Sequence, residues 1–71
     1  MEELRKKAFD TWAELAYKDA ESDYQVNKLL EEIAGPKYNI YETSDDPIFN
    51  IINSLNTAEL FDFLEGCEGI M

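Results

Sequence analysis

Residues 1–18, MEELRKKAFDTWAELAYK, set what the rest of the chain has to do. Turning 100° per residue from Leu4, the residues Met1, Leu4, Ala8, Phe9, Trp12, Leu15 and Ala16 fall within one arc of about 140°, which predicts an amphipathic helix. The opposite face carries Glu3, Lys7, Asp10, Thr11, Glu14 and Lys18, with Glu3 to Lys7 and Glu14 to Lys18 in the favoured i,i+4 order. Arg5 is the one charge inside the apolar arc, where its stem can lie along a core while the guanidinium reaches water. Asp19 would enter the same arc if the helix went on, so an end is expected near residues 17–19. A helix of this length with one greasy face needs a partner to persist in water.

The partner follows directly. Ser22-Asp23-Tyr24-Gln25 has the Ser-x-x-Gln spacing of a capping box, so a second helix is expected over residues 23–34, striped by Val26, Leu29, Leu30, Ile33 and Ala34 and stopped by Gly35-Pro36. A turn of about three residues between the two favours an antiparallel hairpin, with Trp12 and Leu15 facing Leu29 and Leu30. Residues 37–46, KYNIYETSDD, alternate briefly and are expected to form a loop that drops Tyr38 and Ile40 onto the helices and leaves Tyr41 exposed. Pairing of this stretch with another chain as an added strand is the alternative, since no strand partner is legible in this one.

Asp46-Pro47 restarts the helix with aspartate as cap and proline at the first position, and Ile48, Phe49, Ile51, Ile52 and Leu55 follow on one face. Asn56-Thr57-Ala58-Glu59 is a further cap, with Leu55 and Leu60 placed as a hydrophobic staple, so two short helices are expected; one bent helix over 47–65 is the alternative. Leu60, Phe61, Phe63 and Leu64 form the last stripe, Phe63 toward its edge, before a C-cap at Gly66 and a frayed tail, CEGIM. The sum is a single all-α domain, a small compact bundle of about four helices: an antiparallel hairpin plus two short helices.

Charge is the informative quantity. Residues 1–18 hold four cations and four carboxylates, whereas residues 19–71 hold Lys28 and Lys37 against twelve carboxylates, so the whole net charge of −10 falls after the first helix. Such a field repels nucleic acid and anionic membranes and speeds encounter with basic protein surfaces; the plainer reading is that it serves solubility alone. With no histidine and one cysteine, ordinary zinc, haem and iron–sulfur ligand sets cannot be assembled, and serine or cysteine nucleophiles lack a histidine base. Asp45, Asp46, Asn50 and Asn53 lack the spacing, central glycine and terminal glutamate of an EF-hand loop. The last helix carries Glu59, Asp62 and Glu65 and no cation, which argues against a DNA-reading helix. No cofactor and no reaction are indicated, and the single cysteine and absence of a long apolar run make the cytosol the expected compartment.

Candidate binding residues are those outside the apolar stripes. Tyr17 lies about 220° round from Leu4 and Tyr24 about 160° from Val26, flanking the acidic turn of Asp19, Glu21 and Asp23. Tyrosine among carboxylates suits a protein-binding surface, because the ring buries area at little entropic cost while its neighbours pair with lysine or arginine. Tyr41, Glu42, Asp45 and Asp46 form a second candidate patch, and Glu31 with Glu32 a third. The function expected is a non-enzymatic, acidic module that docks on a basic protein surface, in its concrete form an inhibitor occupying the nucleic-acid-binding site of a nuclease or defence protein. Anti-restriction and anti-CRISPR inhibitors are comparable in size and charge, with no motif shared. The alternative is a structural or regulatory subunit that associates, as a homodimer or in a larger assembly, through its apolar helix faces.

Overall fold

The first helix forms where its periodicity places it, as α1 (Glu2–Ala16). The computed structural model describes residues 2–70, so Met1, assigned to the apolar arc, and Met71 of the tail lie outside the described residues. Ala8 and Leu15 are buried at the centre of the stripe, and Leu4, Phe9, Trp12 and Ala16 pack against the core from its edges. Arg5 does lie along the core, but its Nη2 donates to the Leu55 carbonyl at 3.1 Å. Its charge thus meets the negative end of a later helix. The ion pair on α1 is Lys6–Asp10 at 2.9 Å, in place of the expected Glu3–Lys7 and Glu14–Lys18 pairs.

The second helix, α2 (Ala20–Ala34), starts three residues earlier than the Ser22 capping box implied. Asp19 is the N-cap, its Oδ1 accepting the Ser22 N–H at 2.7 Å, and Ser22 is buried inside the first turn. Both spacings allow a cap, but the aspartate adds a turn of backbone bonds and puts a carboxylate at the positive helix end. Val26, Leu30 and Ala34 are buried, and the helix closes at Gly35, whose φ of +58° is left-handed and whose N–H donates to the Glu31 carbonyl at 2.9 Å.

Residues 36–41, expected as a loop, form a short helix, α3 (Pro36–Tyr41). Residues two apart share a strand face, whereas residues three apart share a helix face. Tyr38 and Tyr41 therefore both pack on the core, while Ile40 is 67% exposed, which reverses the expectation that Ile40 would be buried and Tyr41 free. The added-strand alternative has no support here, since the segment is helical.

Pro47 opens α4 (Pro47–Ser54) at the first helical position. Asp46 holds the cap position without a side-chain bond; the turn is tied by Ser44 Oγ donating to the Tyr41 carbonyl at 2.6 Å and accepting Asn50 Nδ2 at 2.9 Å. The break before α5 (Thr57–Ile70) is real. Asn56 Oδ1 accepts the Glu59 N–H and Glu59 Oε1 accepts the Asn56 N–H, both at 2.9 Å, and the staple residues Leu55 and Leu60 are both buried. Lys37 Nζ reaches across from α3 to the Ser54 carbonyl and to Glu59 Oε1, each at 3.0 Å.

The last helix overturns three expectations. It runs through Gly66 to Ile70, so Gly66 is no cap; a Cβ there would stand 2.6 and 2.7 Å from the methyl groups of Leu29, and the glycine lets α5 approach α2 closely. Cys67, placed in a frayed tail, is fully buried. With the stripe extended to Leu60, Phe63, Cys67 and Ile70, its centre moves to Phe63, which is buried, and Phe61 is left 58% exposed, the reverse of the order expected from residues 60–64 alone. Helices α1, α2 and α5 pack on one another, α4 lies against α1, and α3 bridges α2 and α4. The all-α bundle thus has five helices among the described residues, α3 being the addition.

Candidate protein-binding surface

The outward side of α2 is fixed by what its inner side buries. Opposite Val26, Leu30 and Ala34, the 100° turn collects Glu21, Tyr24, Lys28, Glu31 and Glu32 on one exposed face. Of the acidic turn, only Glu21 and Tyr24 belong to it. Asp23 lies round toward α1, where its Oδ1 and its carbonyl accept Asn27 Nδ2 at 2.7 and 2.9 Å, and Asn27 Oδ1 in turn accepts the indole N–H of Trp12 at 3.0 Å. Asp19 is occupied as the helix cap; the Ser22 backbone N–H, aided by the Ser22 side chain, holds its carboxyl below the ordinary range.

Tyr38 joins two of the candidate patches. Burial pushes its hydroxyl up, and the charges of Glu31 on α2 and Glu42 after α3 push it further, so these two carboxylates stand near the same ring. Glu21, Glu31, Glu32 and Glu42 are the carboxylates that the fold gathers along α2 and its continuation. Asp45 and Asp46 are exposed at the turn between α3 and α4, and the neighbouring Tyr41 contributes to the core instead of the patch. Among the described residues no three histidine, cysteine, aspartate or glutamate side chains converge as a metal site requires, and no helix is long and apolar enough to cross a membrane.

A second surface was not legible as such. The rings of Phe49, Phe9, Trp12 and Tyr17 follow one another with centroid separations of 6.3, 6.0 and 6.3 Å, tilted or edge-on. Phe49 is 50% exposed and Tyr17 83%, so the row lies at the surface. Between α1 and α4, Phe9, Phe49 and Ile52 line a groove of about 430 Å³ together with Asn53 and with Glu2, Arg5, Lys6 and Asp10, whose charges balance. The signal available in the sequence was α4 itself, PIFNIINS, which carries no charge and spreads Ile48, Phe49, Ile51 and Ile52 over about 160° of its circumference, more than one packed side covers.

Fold and surface together define a small helical bundle with two distinct faces, one acidic and one apolar. No known family, curated protein or solved structure matches this chain.

Proposed function

We propose that the chain is a non-enzymatic binding module of the cytoplasm that docks on a basic protein surface through its carboxylates. Its sharpest form is an inhibitor seated in the nucleic-acid-binding site of a nuclease or defence protein, its carboxylates standing where phosphates would stand. One observation carries the reading: eleven of the twelve carboxylates after Lys18 are exposed, and among the described residues Glu59 is the only one of the twelve in an ion pair, with Lys37. Carboxylates that served only to brace the fold would meet its cations. Asp19 and Asp23 do brace α2 through neutral partners, but neither is ion-paired among the described residues, and the exposed set together holds a field that attracts lysine and arginine from a distance and repels nucleic acid itself. Lys28 interrupts the acidic line on α2, so Glu31, Glu32 and Glu42 form its uninterrupted part.

The test is capture from a nuclease-treated lysate, washed at about 50 and then about 500 mM salt, a range over which exposed charge pairs are screened. A nucleic-acid-binding protein released by the second wash is the expected result. With that partner in hand, the triple variant Glu31→Gln, Glu32→Gln, Glu42→Gln should slow association by about tenfold, within the span that electrostatic steering covers. A partner that resists salt, or an association rate indifferent to those amides, would remove the reading.

A further inference from the structure

Between α4 and α5 the chain turns with neither proline nor glycine in residues 53–57, Asn-Ser-Leu-Asn-Thr, to force the bend. The interruption centres on Leu55, whose φ of −76° and ψ of 140° are extended. Side chains hold it there. Ser54 Oγ donates to the Ile51 carbonyl at 2.6 Å, Lys37 Nζ to the Ser54 carbonyl at 3.0 Å and Arg5 Nη2 to the Leu55 carbonyl at 3.1 Å, while Asn56 and Glu59 take each other's backbone N–H. In an uninterrupted helix the same three carbonyls would accept the backbone N–H groups of Leu55, Ala58 and Glu59, four residues on in each case, and the Asn56 N–H would donate to Ile52. Bent and straight forms thus satisfy the same backbone groups with different partners, which makes the joint a two-state element.

The straight form does not fit inside one molecule. A single helix over residues 47–70 would be about 36 Å long, whereas the folded chain extends 26 Å along its longest axis. Straightening carries α5 off α1 and α2, on which it packs, and uncovers Leu60, Phe63 and Cys67, all fully buried in the bent form. We infer that the joint is a hinge through which two copies of the chain exchange α5, each α5 seating on the α1 and α2 of the other copy. Every packing contact of the exchanged α5 is one that the single chain already makes, Gly66 against Leu29 included, so the core itself selects a second copy as the partner. Rising concentration favours the exchange, and repulsion between two chains of −10 opposes it.

The inference goes beyond the docking reading and is independent of it. The test is refolding from urea at a series of concentrations up to about 1 mM chain, in about 500 mM salt so that the repulsion is screened, with the mass read by sedimentation. The chain should pass from 8.2 kDa toward twice that value as concentration rises. Asn56→Ala should lower the midpoint about thirtyfold, the usual loss of an N-cap counted once in each chain of the dimer. Thr57→Pro sets a proline at the first position of α5, where the bent form accepts it and a continuous helix does not, and should hold the chain monomeric. In a dimer refolded from isotope-labelled and unlabelled chains, filtered NOEs should place the Leu29 methyl groups and Gly66 on different chains. A monomer throughout, for the parent and Asn56→Ala alike, overturns the proposal. So does a dimer that Thr57→Pro leaves intact, or one whose Leu29 and Gly66 meet within a single chain.

Discussion

Asn56 and Glu59 decide whether residues 47–70 form one helix or two. Each satisfies the other's backbone N–H, and Lys37 adds its ammonium to the same glutamate. Asn56→Ala should lower stability by about 1 kcal/mol, the usual cost of an N-cap, read as a shift of the urea midpoint. The Asn56 backbone N–H, and after it Lys37, hold the Glu59 carboxyl below its ordinary range. A group whose folded value is depressed stabilises the fold fully above its unfolded value, about 4.3 for glutamate, and loses that contribution as pH falls through the folded value. Glu59→Gln should therefore be less stable than the parent at neutral pH and approach it in stability as the pH drops below about 4. A stability gap that stays constant from pH 7 to pH 3 would show that the carboxylate charge plays no part. The cap at Asn56 was legible in the sequence because its spacing is local; Lys37, twenty-two residues away, was not.

Among the elements, α1, α2, α4 and the start of α5 follow from period and punctuation, and the misses have one cause each. At α3 the six residues are too few to distinguish alternation from a single helical turn, so Ile40 and Tyr41 exchanged places. At α5, glycine's commonest local use is as a stop, whereas its use at residue 66 is the close approach to Leu29, a tertiary fact invisible locally. Phe61 and Phe63 then exchanged places because the face was centred on a stripe cut short. The extension can be checked through Cys67, which is buried and whose thiol burial pushes up to about 11. An ordinary thiol near 8.5 is about a quarter thiolate at pH 8, against about a thousandth for one at 11, so labelling of the native chain should be at least two hundred-fold slower than in urea. Native labelling at the unfolded rate would place the end of α5 at Gly66 after all.

For the molecule as a whole, the division of charge was legible from sequence, and the apolar face was not, because a count of hydrophobic residues cannot tell how many of them the fold has room to cover. The net charge of −10 has a price in stability: with only two ion pairs among the described residues, raising salt from about 50 to 500 mM should screen self-repulsion and raise the melting temperature by a few degrees. A melting temperature that falls with salt would mean that attractive pairs dominate. Trp12 adds a practical consequence. It is the chain's single tryptophan, half-buried in the middle of the aromatic row, with its N–H held by Asn27. Anything that covers the row dries the indole and shifts its emission to shorter wavelength, while anything that settles on the outward side of α2 leaves the band where it was. The protein thus carries its own optical label, placed so that colour alone distinguishes a covered aromatic row from a covered α2.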